Sequence, residues 1–325
     1  MNYNIVILKT EELTEAQWEQ FTSGFNTVFN KNRTVDEMKA IDKRNALGYA
    51  YHSFAITEDG VIMGHQGKVP TLYDGNLIFL LGVDTYVLKE YRHIETLFLE
   101  MYMPFKKYLL KEKGVIGSIG VPNDNSRPFA IKLFKEKYIA DLNYYLLPLK
   151  ISNILRKPWL RPIDWVWMLM VYLWLGICSL LTLAINPKEK LVKYRMNIDK
   201  NFYGFRFAED KYAKYIDDKN MYCYTNFEEE GGYTVAYLMD FRENGKRSVK
   251  SLLLAVKNII KQEKVDAIAF IGFLHLCQYI LIKLPARFVP KRFTLYYSIY
   301  DKKMKYEGIG DKKNWDFSLL NYDVR

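Results

Sequence analysis

The alternation of apolar and polar positions in the first 50 residues predicts a short strand followed by two helices. The strand covers Ile5–Leu8, and Thr14 is placed to cap a helix that continues through Phe29. Glu15 and Glu19 lie near the positive end of that helix, where carboxylates are stabilising. A second, shorter helix is predicted near Val35.

The next hundred residues first change to the period of two that is typical of strands. The segments YAYHSFAI, VIMGHQGKVPTLY and LIFLLGVDTYV are separated by the turns EDG and DGN, which predicts an antiparallel meander. Helical spacing then runs from Ile94 to Gly114, with a kink expected at Pro104. A strand VIGSIGV, a helix from Asn125 or Ser126 to about Lys137, and a strand NYYLLPL follow.

Residues 221–300 repeat the later part of this order. The strands MYCYTNF and YTVAYLMDF precede a helix from Val249 to Ile260, and the strand DAIAFIGF, a helix LHLCQYILIKL and the strand RFTLYYSIY come after it. A helix that ends in a Lys/Glu cluster leads into a buried strand twice, at KEKGVIGSIGV and at KQEKVDAIAFIGF. We interpret this as a degenerate tandem duplication, although any α/β protein can repeat a βαβ order.

Between the two halves lies a segment of 21 residues without a charge, Trp165–Ile185. As a helix it would be about 32 Å long, close to the thickness of a bilayer core. Basic residues precede and follow it. Because clustered Lys and Arg favour the cytoplasmic side of a membrane, positive charge at both ends argues against a simple span. The open alternatives are a helix in the membrane interface, a broken re-entrant hairpin near Gly176, a buried or homodimer-contact helix, and a single span.

Composition narrows the class of protein further. The 325 residues include 26 Tyr, 19 Phe and 6 Trp, and 47 Lys plus Arg against 37 Asp plus Glu give a net charge of +10. This charge favours anionic partners, or it reflects a solvated surface of scattered lysines. The three cysteines, at 178, 223 and 277, show no metal-like spacing and fit a reducing cytoplasm. The N-terminus has no secretory signal pattern, and no clustered helix-turn-helix or RNP-like pattern supports nucleic-acid binding.

Few local motifs indicate chemistry. The four histidines lie in separate predicted elements without a second ligand at zinc-like spacing, and no GxSxG, HExxH, P-loop or GxGxxG occurs. The informative stretch is Gly82–Tyr138, where a strand ends in a polar turn and opens a helix, an arrangement that directs backbone N–H groups at an anion. The turn MDFRENGKRSVK in the second half has a similar basic character.

This stretch resembles the GNAT superfamily of acyl-CoA N-acyltransferases. The matching pieces are the strand ending Asp84–Val87, the turn Tyr91–Arg92, the strand Ile116–Val121, and Asn123 with Ser126. The resemblance covers about Ile5–Leu147 by order of elements. It implies an α+β fold of two GNAT-like halves around one central, continuous or abutted, mostly antiparallel mixed sheet flanked by helices, with the hydrophobic helix joining the halves. We expect an N-terminal half at 1–150, a linker helix at 151–195 and a C-terminal half at 196–325.

The resemblance also implies acetyl-CoA or another acyl-CoA as cofactor. The residues that would contact it are Tyr86, Val87, Arg92, His93, Ile94, Glu95, Thr96, Val121 and Ser126. The sequence departs from the family loop R/Q-x-x-G-x-G/A, because Glu95 and Leu97 stand where that loop has glycines, and a carboxylate there repels a phosphate. The tyrosine that often serves as general acid would fall near Leu133 or Phe134, which have no hydroxyl.

Three residues are candidates for the catalytic steps. His65, on a strand between glycines, is placed to accept the proton of the attacking amine, or it is a structural histidine. Asp84 either polarises a substrate group or bonds neighbouring amides. Asn123 either orients the acyl group or caps the helix that follows Pro122.

We therefore expect an N-acyltransferase acting on a small-molecule amine of a sugar or cell-envelope precursor, in bacterial polysaccharide synthesis. A lipid-linked acceptor or a sugar phosphate would suit the basic surface and the Trp-rich helix. The expected location is the cytoplasm, or the inner face of the membrane. The alternative is a non-catalytic binding module that keeps the fold at the membrane surface.

Overall fold

The computed structural model describes residues 2–124, 126–229, 232–300 and 305–322. The chain forms two compact units, each built from two segments. The first unit comprises residues 1–140 and 294–310, and the second comprises residues 141–293 and 311–325. The domains expected from the sequence, 1–150, 151–195 and 196–325, are continuous segments of the chain, and they stay a prediction.

The elements of the first half of the chain follow the order expected from the pattern, with one additional strand, β6. They are β1 Tyr3–Lys9, α1 Glu15–Phe29, α2 Val35–Asp42, β2 Tyr51–Thr57, β3 Ile62–Tyr73, β4 Leu77–Val87, α3 Leu97–Leu109, β5 Val115–Gly120, α4 Arg127–Lys132, β6 Lys137–Asp141 and β7 Asn143–Pro148. A short α5, Ile151–Ile154, leads to the long helix α6, Arg161–Ala184.

The remaining elements belong to the second half of the chain. They are β8 Tyr194–Arg195, α7 Lys200–Arg206, β9 Ala213–Ile216, β10 Asn220–Glu229, β11 Tyr233–Glu243, α8 Val249–Gln262, β12 Ala267–Gly272, β13 Ile282–Lys283, β14 Thr294–Ile299 and β15 Trp315–Asp316.

The first unit is a seven-stranded sheet in the order β1-β2-β3-β4-β5-β14-β6. The strands β4 and β5 are parallel, whereas the pairs β1–β2, β2–β3, β3–β4 and β5–β14 are antiparallel. Because successive strand residues point to opposite faces, Phe54 packs under α1 while Ala55 packs under α3. Thr14 caps α1 by accepting a hydrogen bond from the backbone N–H of Gln17, as its position predicts.

The second unit contains a six-stranded sheet in the order β13-β7-β12-β11-β10-β9. Again one central pair, β11–β12, is parallel and the neighbouring pairs are antiparallel. The helices α8 and α6 contribute to its apolar core, α8 through residues that include Leu252, Val256 and Ile259 and α6 through Val171 and Leu175.

The two sheets exchange strands between the halves of the chain. The strand β7 belongs to the first half but lies beside β12 in the second sheet, and β14 belongs to the second half but lies beside β5 in the first sheet. In each sheet the incoming strand lies next to the parallel pair. The α+β class with mixed sheets flanked by helices is confirmed, although these strands form two separate sheets and not one continuous sheet. The tandem duplication stays a prediction.

Two helices differ from the pattern. The helix predicted to end near Lys137 ends at Lys132, because Lys135 adopts a left-handed conformation (φ +52°) and β6 begins at Lys137. One of its two predicted starts, Asn125, lies outside the described residues. The helix predicted for LHLCQYILIKL is wrong. There the side chain of Gln278 bonds nearby backbone groups and competes with helical hydrogen bonds.

The hydrophobic segment is one continuous helix. α6 runs through Gly176 without a break, so the re-entrant hairpin is wrong. The stretch Pro158–Ala184 has the length and composition of a helix that could cross a membrane, and only 17% of its most apolar window is buried.

Candidate functional site

The two parallel strands of the first sheet separate partway along their length. Their pairing covers Ile78–Leu80 on β4 and Val115–Ser118 on β5, although β4 continues to Val87. Beyond Leu80, β4 therefore keeps β3 on one side and has no pairing with β5 on the other. An opening between parallel strands exposes backbone N–H and C=O groups that can bind an extended polar ligand.

A β-bulge lies on β4 inside this opening. His65 pairs with Tyr86 and Gly67 pairs with Val83, so Asp84 and Thr85 together face one residue of β3. Asp84 has φ +47°, an uncommon conformation for a residue with a side chain, and it is only 9% exposed. The bulge changes the direction in which the end of β4 presents its backbone.

His65 is placed beneath this bulge and not in the open. Its side chain is fully buried, and its Nδ1 lies 2.7 Å from the carbonyl oxygen of Asp84. Because a carbonyl only accepts, Nδ1 carries the hydrogen. Its Nε2 lies 3.1 Å from Nδ1 of His52, whose Nε2 is 3.7 Å from a carboxylate oxygen of Asp42. The histidines that seemed separate along the chain thus form a buried pair that holds the bulge.

The loop from β4 to α3 combines positive and negative groups. Arg92 and His93 are exposed, and Nε of Arg92 donates to the carbonyl oxygen of Val87 at 3.1 Å. Glu95 and Thr96 are also exposed, whereas Ile94 packs in the core under α3. The structure therefore places the predicted cations and the opposing carboxylate on the same exposed loop.

Four further predicted site residues lie on β4 and in the segment that follows β5. Tyr86 is buried, and its hydroxyl donates to the carbonyl oxygen of Phe21 at 3.2 Å. Val121 is buried just after β5. Asn123 and Ser126 are exposed, and Oδ1 of Asn123 accepts from the backbone N–H of Ser126 at 2.8 Å, which is a turn-stabilising contact.

Sequence reasoning missed a buried polar cluster on the α3 side of the sheet. Lys68 lies opposite Gly82, and a Cβ atom at Gly82 would lie 3.2 Å from its Nζ. Burial lowers the pKa of Lys68, and the nearby carboxylate of Glu136 opposes that shift. Burial raises the pKa of Glu136, and Lys68 opposes it. Ser118 donates to Glu136 at 3.4 Å.

Two tyrosines complete this cluster. The hydroxyls of Tyr102 and Tyr300 are buried and make no hydrogen bond of normal geometry with the described residues. Burial raises the pKa of both phenols. Tyr102 stacks on Phe134 with ring centroids 3.9 Å apart, so α3 supplies a hydroxyl beside the position where the resemblance leads one to expect it. The available signal was Lys68 itself, the single Lys, Arg, Asp or Glu residue of the largely buried strand β3.

The corresponding turn of the second unit is filled by its own chain. Ser248 caps α8, and the segment that follows α6 supplies acceptors for the next N–H groups. The backbone N–H of Val249 donates to the carbonyl oxygen of Pro187, and that of Lys250 donates to Oδ1 of Asn186, both at 3.1 Å. The N–H groups that could have bound an anion at MDFRENGKRSVK are therefore used within the unit.

Beside this turn lies a buried ionic network. Arg247 donates to Asp240 at 2.9 Å and to Asp316 at 2.5 Å, and Arg242 donates to Asp240 at 2.6 Å. The side chain of Glu189 adds a third carboxylate, 3.6 Å from Arg242. All five side chains are at most 6% exposed. The network fixes the β11–α8 turn structurally.

Within the part of the chain that the structure describes, no group of three His, Cys, Asp or Glu side chains is placed to hold a metal ion. The buried rings of His52 and His65 are hydrogen-bonded to each other, and Asp42 lies 3.7 Å from His52.

Comparison with solved structures identifies the fold. The chain is similar to a GCN5-related N-acetyltransferase from Anabaena variabilis (TM-score 0.54, 11% identity, 92% of this chain and 73% of that one). It is similar to a protein from Enterococcus faecalis described as a probable N-acyltransferase (TM-score 0.54, 11%, 91% and 73%). It is also similar to a GCN5-related N-acetyltransferase from Kribbella flavida (TM-score 0.55, 8%, 91% and 71%). No family model matches the sequence, and no curated protein is similar to it by sequence. The chain thus has the GNAT fold.

Proposed function

We propose that this protein is an acyl-CoA-dependent N-acyltransferase whose cofactor binds to the first unit. The observation that carries the proposal is the opening between β4 and β5, with a bulge at Asp84, in a sheet of the GNAT fold. The neighbours named N-acetyltransferases support this activity. The filled turn of the second unit argues that only one of the two sheets binds cofactor.

The residues around the opening fit an extended thioester ligand. Acyl-CoA would supply an activated acyl group. The backbone of β4 beyond Leu80, with Tyr86 and Val87, and that of Val121 would position its extended arm. Arg92 and His93 would supply positive charge toward its phosphates, and Glu95 and Leu97 replace the family's glycines. The absence of glycine lowers the expected affinity because the backbone cannot approach the phosphates as closely.

Proton transfer is assigned to Asp84, with His65 as a positioning residue. Attack by an amine needs a group that accepts its proton. Asp84 lies at the bulge with some exposure, whereas His65 is fully buried and reaches the site through the carbonyl oxygen of Asp84. Asn123 supports the turn before α4. Lys68, whose pKa burial lowers, is a candidate to return a proton to the leaving group.

The acceptor is proposed from surface chemistry alone. A net charge of +10 favours an anionic amine, which a sugar phosphate or a lipid-linked cell-envelope precursor would supply. The transferred acyl group is proposed to be acetyl, and acyl-CoAs with longer chains are compared with acetyl-CoA in the same binding experiment.

Cofactor binding is tested by titrating the full chain with acetyl-CoA in a calorimeter. Three proteins are compared: wild type, Arg92→Glu on the first-unit loop, and Lys246→Glu on the exposed second-unit turn. We expect binding by wild type and Lys246→Glu, and a loss of at least tenfold in Arg92→Glu. Both variants change the net charge equally, so an equal loss in the two would refute a site on the first-unit loop.

The proton-transfer assignment is tested by pH–rate profiles. Asp84→Asn should abolish the acidic limb of kcat. His65→Leu should lower kcat and keep that limb, because it removes only the support of the bulge, and His65→Gln, which retains a donor, should recover part of the rate. Loss of the limb in both His65 variants but not in Asp84→Asn would make His65 the base.

The second candidate is a non-catalytic binding module. Glu95 and Leu97, in place of glycines at the phosphate loop, favour it. Failure of acetyl-CoA and longer acyl-CoAs to bind the wild type would favour the non-catalytic binding module.

A further inference from the structure

The helix α6 exposes a large apolar face. One stripe of the helix, which includes Val171, Leu175 and Cys178, is buried in the core of the second unit. The other positions face outward, among them Trp165, which is 74% exposed, and Leu183, which is 85% exposed. More than ten large apolar side chains share this surface, which makes it on the order of 1,000 Å², against a few hundred for the largest patch of a typical soluble monomer.

We propose that α6 lies flat in the surface of an anionic phospholipid bilayer and anchors the second unit there. The apolar face would enter the boundary between headgroups and acyl chains. Trp159, Trp165, Tyr172 and Trp174 are exposed aromatic side chains with polar tips, which favour this boundary. The proposal is independent of acyl transfer, since it concerns a surface of the second unit.

Charge selects the bilayer over a second copy of the chain. Both ends of α6 carry exposed cations. They are Arg156, Lys157 and the first helical residue Arg161 at one end, and Lys188, Lys190 and Lys193 after the other end. Packing of two α6 helices would bring cations next to cations whether the helices ran parallel or antiparallel. The carboxylate of Asp164, which accepts from Ser152, lowers the charge at the first end from +3 to +2, and that of Glu189 is used in the buried network with Arg242 and Arg247, so both ends stay positive. Anionic headgroups neutralise both ends at once.

Hydrogen bonds tie α6 to the rest of the second unit along its length, and they favour a helix that lies flat on the membrane over one that spans it. Trp167 Nε1 donates to the carbonyl oxygen of Pro148 at 2.8 Å, and Trp174 Nε1 donates to that of Tyr279 at 3.2 Å. One turn further on, Lys257 of α8 donates to Ser179 at 2.5 Å. A helix that crossed the bilayer would carry α8 and its exposed lysines at 250, 257 and 261 into the hydrocarbon, which is costly.

The electrostatic part is tested by flotation with vesicles of phosphatidylglycerol and phosphatidylcholine. The triple variant Lys157→Gln, Lys188→Gln, Lys190→Gln should bind mixed vesicles about a hundredfold more weakly, at about fivefold per charge. The matched control, Lys107→Gln, Lys111→Gln, Lys113→Gln, removes three exposed cations of the first unit and should bind like wild type. Equal loss in both variants, or no binding of the wild type to the mixed vesicles, would overturn the proposal.

The orientation is tested by depth-dependent quenching. Single cysteines at Val166, Leu173 and Leu180, in a Cys277→Ser background, lie two turns apart on one exposed face and span about 21 Å of helix. Because Cys178 and Cys223 are buried, a fluorescent thiol label reports the introduced position. With nitroxide lipids, equal and shallow quenching at the three positions is expected. Graded depths would show a span, and absence of quenching together with dimers in sedimentation would show a second copy; either overturns the proposal.

Discussion

Removal of Arg247 from the buried network of the second unit should severely destabilise that unit. Arg247 is 1% exposed and donates to Asp240, to Asp316 and to the hydroxyl of Ser318. Its guanidinium also lies 5.3 Å from the ring centre of Phe270. The substitution Arg247→Met keeps an unbranched apolar stem for that packing and removes only the charge and its donors.

The magnitude follows from the charges that remain. In the wild type, three carboxylates face two guanidinium groups; in Arg247→Met, three carboxylates face Arg242 alone. Breaking a buried pair by removing one partner costs about 3–5 kcal/mol, because the other charge stays buried. We therefore expect the free energy of unfolding of this unit to fall by about 4 kcal/mol, roughly a thousandfold in the unfolding equilibrium.

The assay is urea unfolding followed by tryptophan fluorescence and near-UV circular dichroism. Trp315 stacks on Tyr194 with ring centroids 4.6 Å apart in the same unit, so its signal reports the unfolding of that unit. The control is Lys150→Met, which removes a partner of Asp266 from a side chain that is 42% exposed and should cost less than about 1 kcal/mol. If the two variants unfold at the same urea concentration, the assignment of a stabilising role to Arg247 is refuted.

Three further changes test separate parts of the fold. Gly117→Ala should displace β14, because its Cβ would lie 1.9 Å from the carbonyl oxygen of Ser298; we expect a loss of about 3 kcal/mol in thermal unfolding, against a neutral or slightly stabilising effect of Gly176→Ala in open space. Thr14→Ala should cost about 1 kcal/mol through loss of the α1 cap, measured by the same melts. Burial opposes the ionisation of Asp316, but the neighbouring guanidinium groups more than offset this and hold its pKa below the usual range. The contribution of Asp316 to stability is therefore complete above the unfolded pKa of about 3.9 and is lost as the pH falls through the lower folded pKa. In Asp316→Asn the free energy of unfolding should fall less steeply with decreasing pH in this acidic range. An unchanged pH dependence would contradict this.

Local patterns predicted most of the elements. The cap at Thr14, the meander and the helix from Val249 follow from periodicity and turn residues, and the structure has them where they were expected. The errors lie at α4 and at the segment around Gln278. In both places a local choice, a left-handed residue or a side chain bonded to the backbone, overrode an apolar pattern that fits a helix equally well.

The sequence identified part of the side chains at the candidate site, and their functional roles stay predictions. The strand-to-helix loop with Arg92, His93 and Glu95 was identified from sequence, and the structure places these residues together on an exposed loop. The pairing of His52 with His65, and the cluster around Lys68, were not identified. Each depends on strands that meet in register, and a side chain one position along would point to the other face.

Local sequence patterns were enough to predict most of the helices and strands, the α+β class, the basic strand-to-helix loop around Arg92, and the long uncharged helix with cations at both ends. Long-range contacts in the folded chain were needed to show that β7 and β14 are exchanged between the sheets, that residues 186–189 occupy the β11–α8 turn, and that α6 buries a single stripe. The difference arises from the distance along the chain over which each interaction acts. Periodicity and capping act within a few residues, whereas strand pairing and burial depend on partners far away in the chain, and no local pattern specifies which partner is chosen.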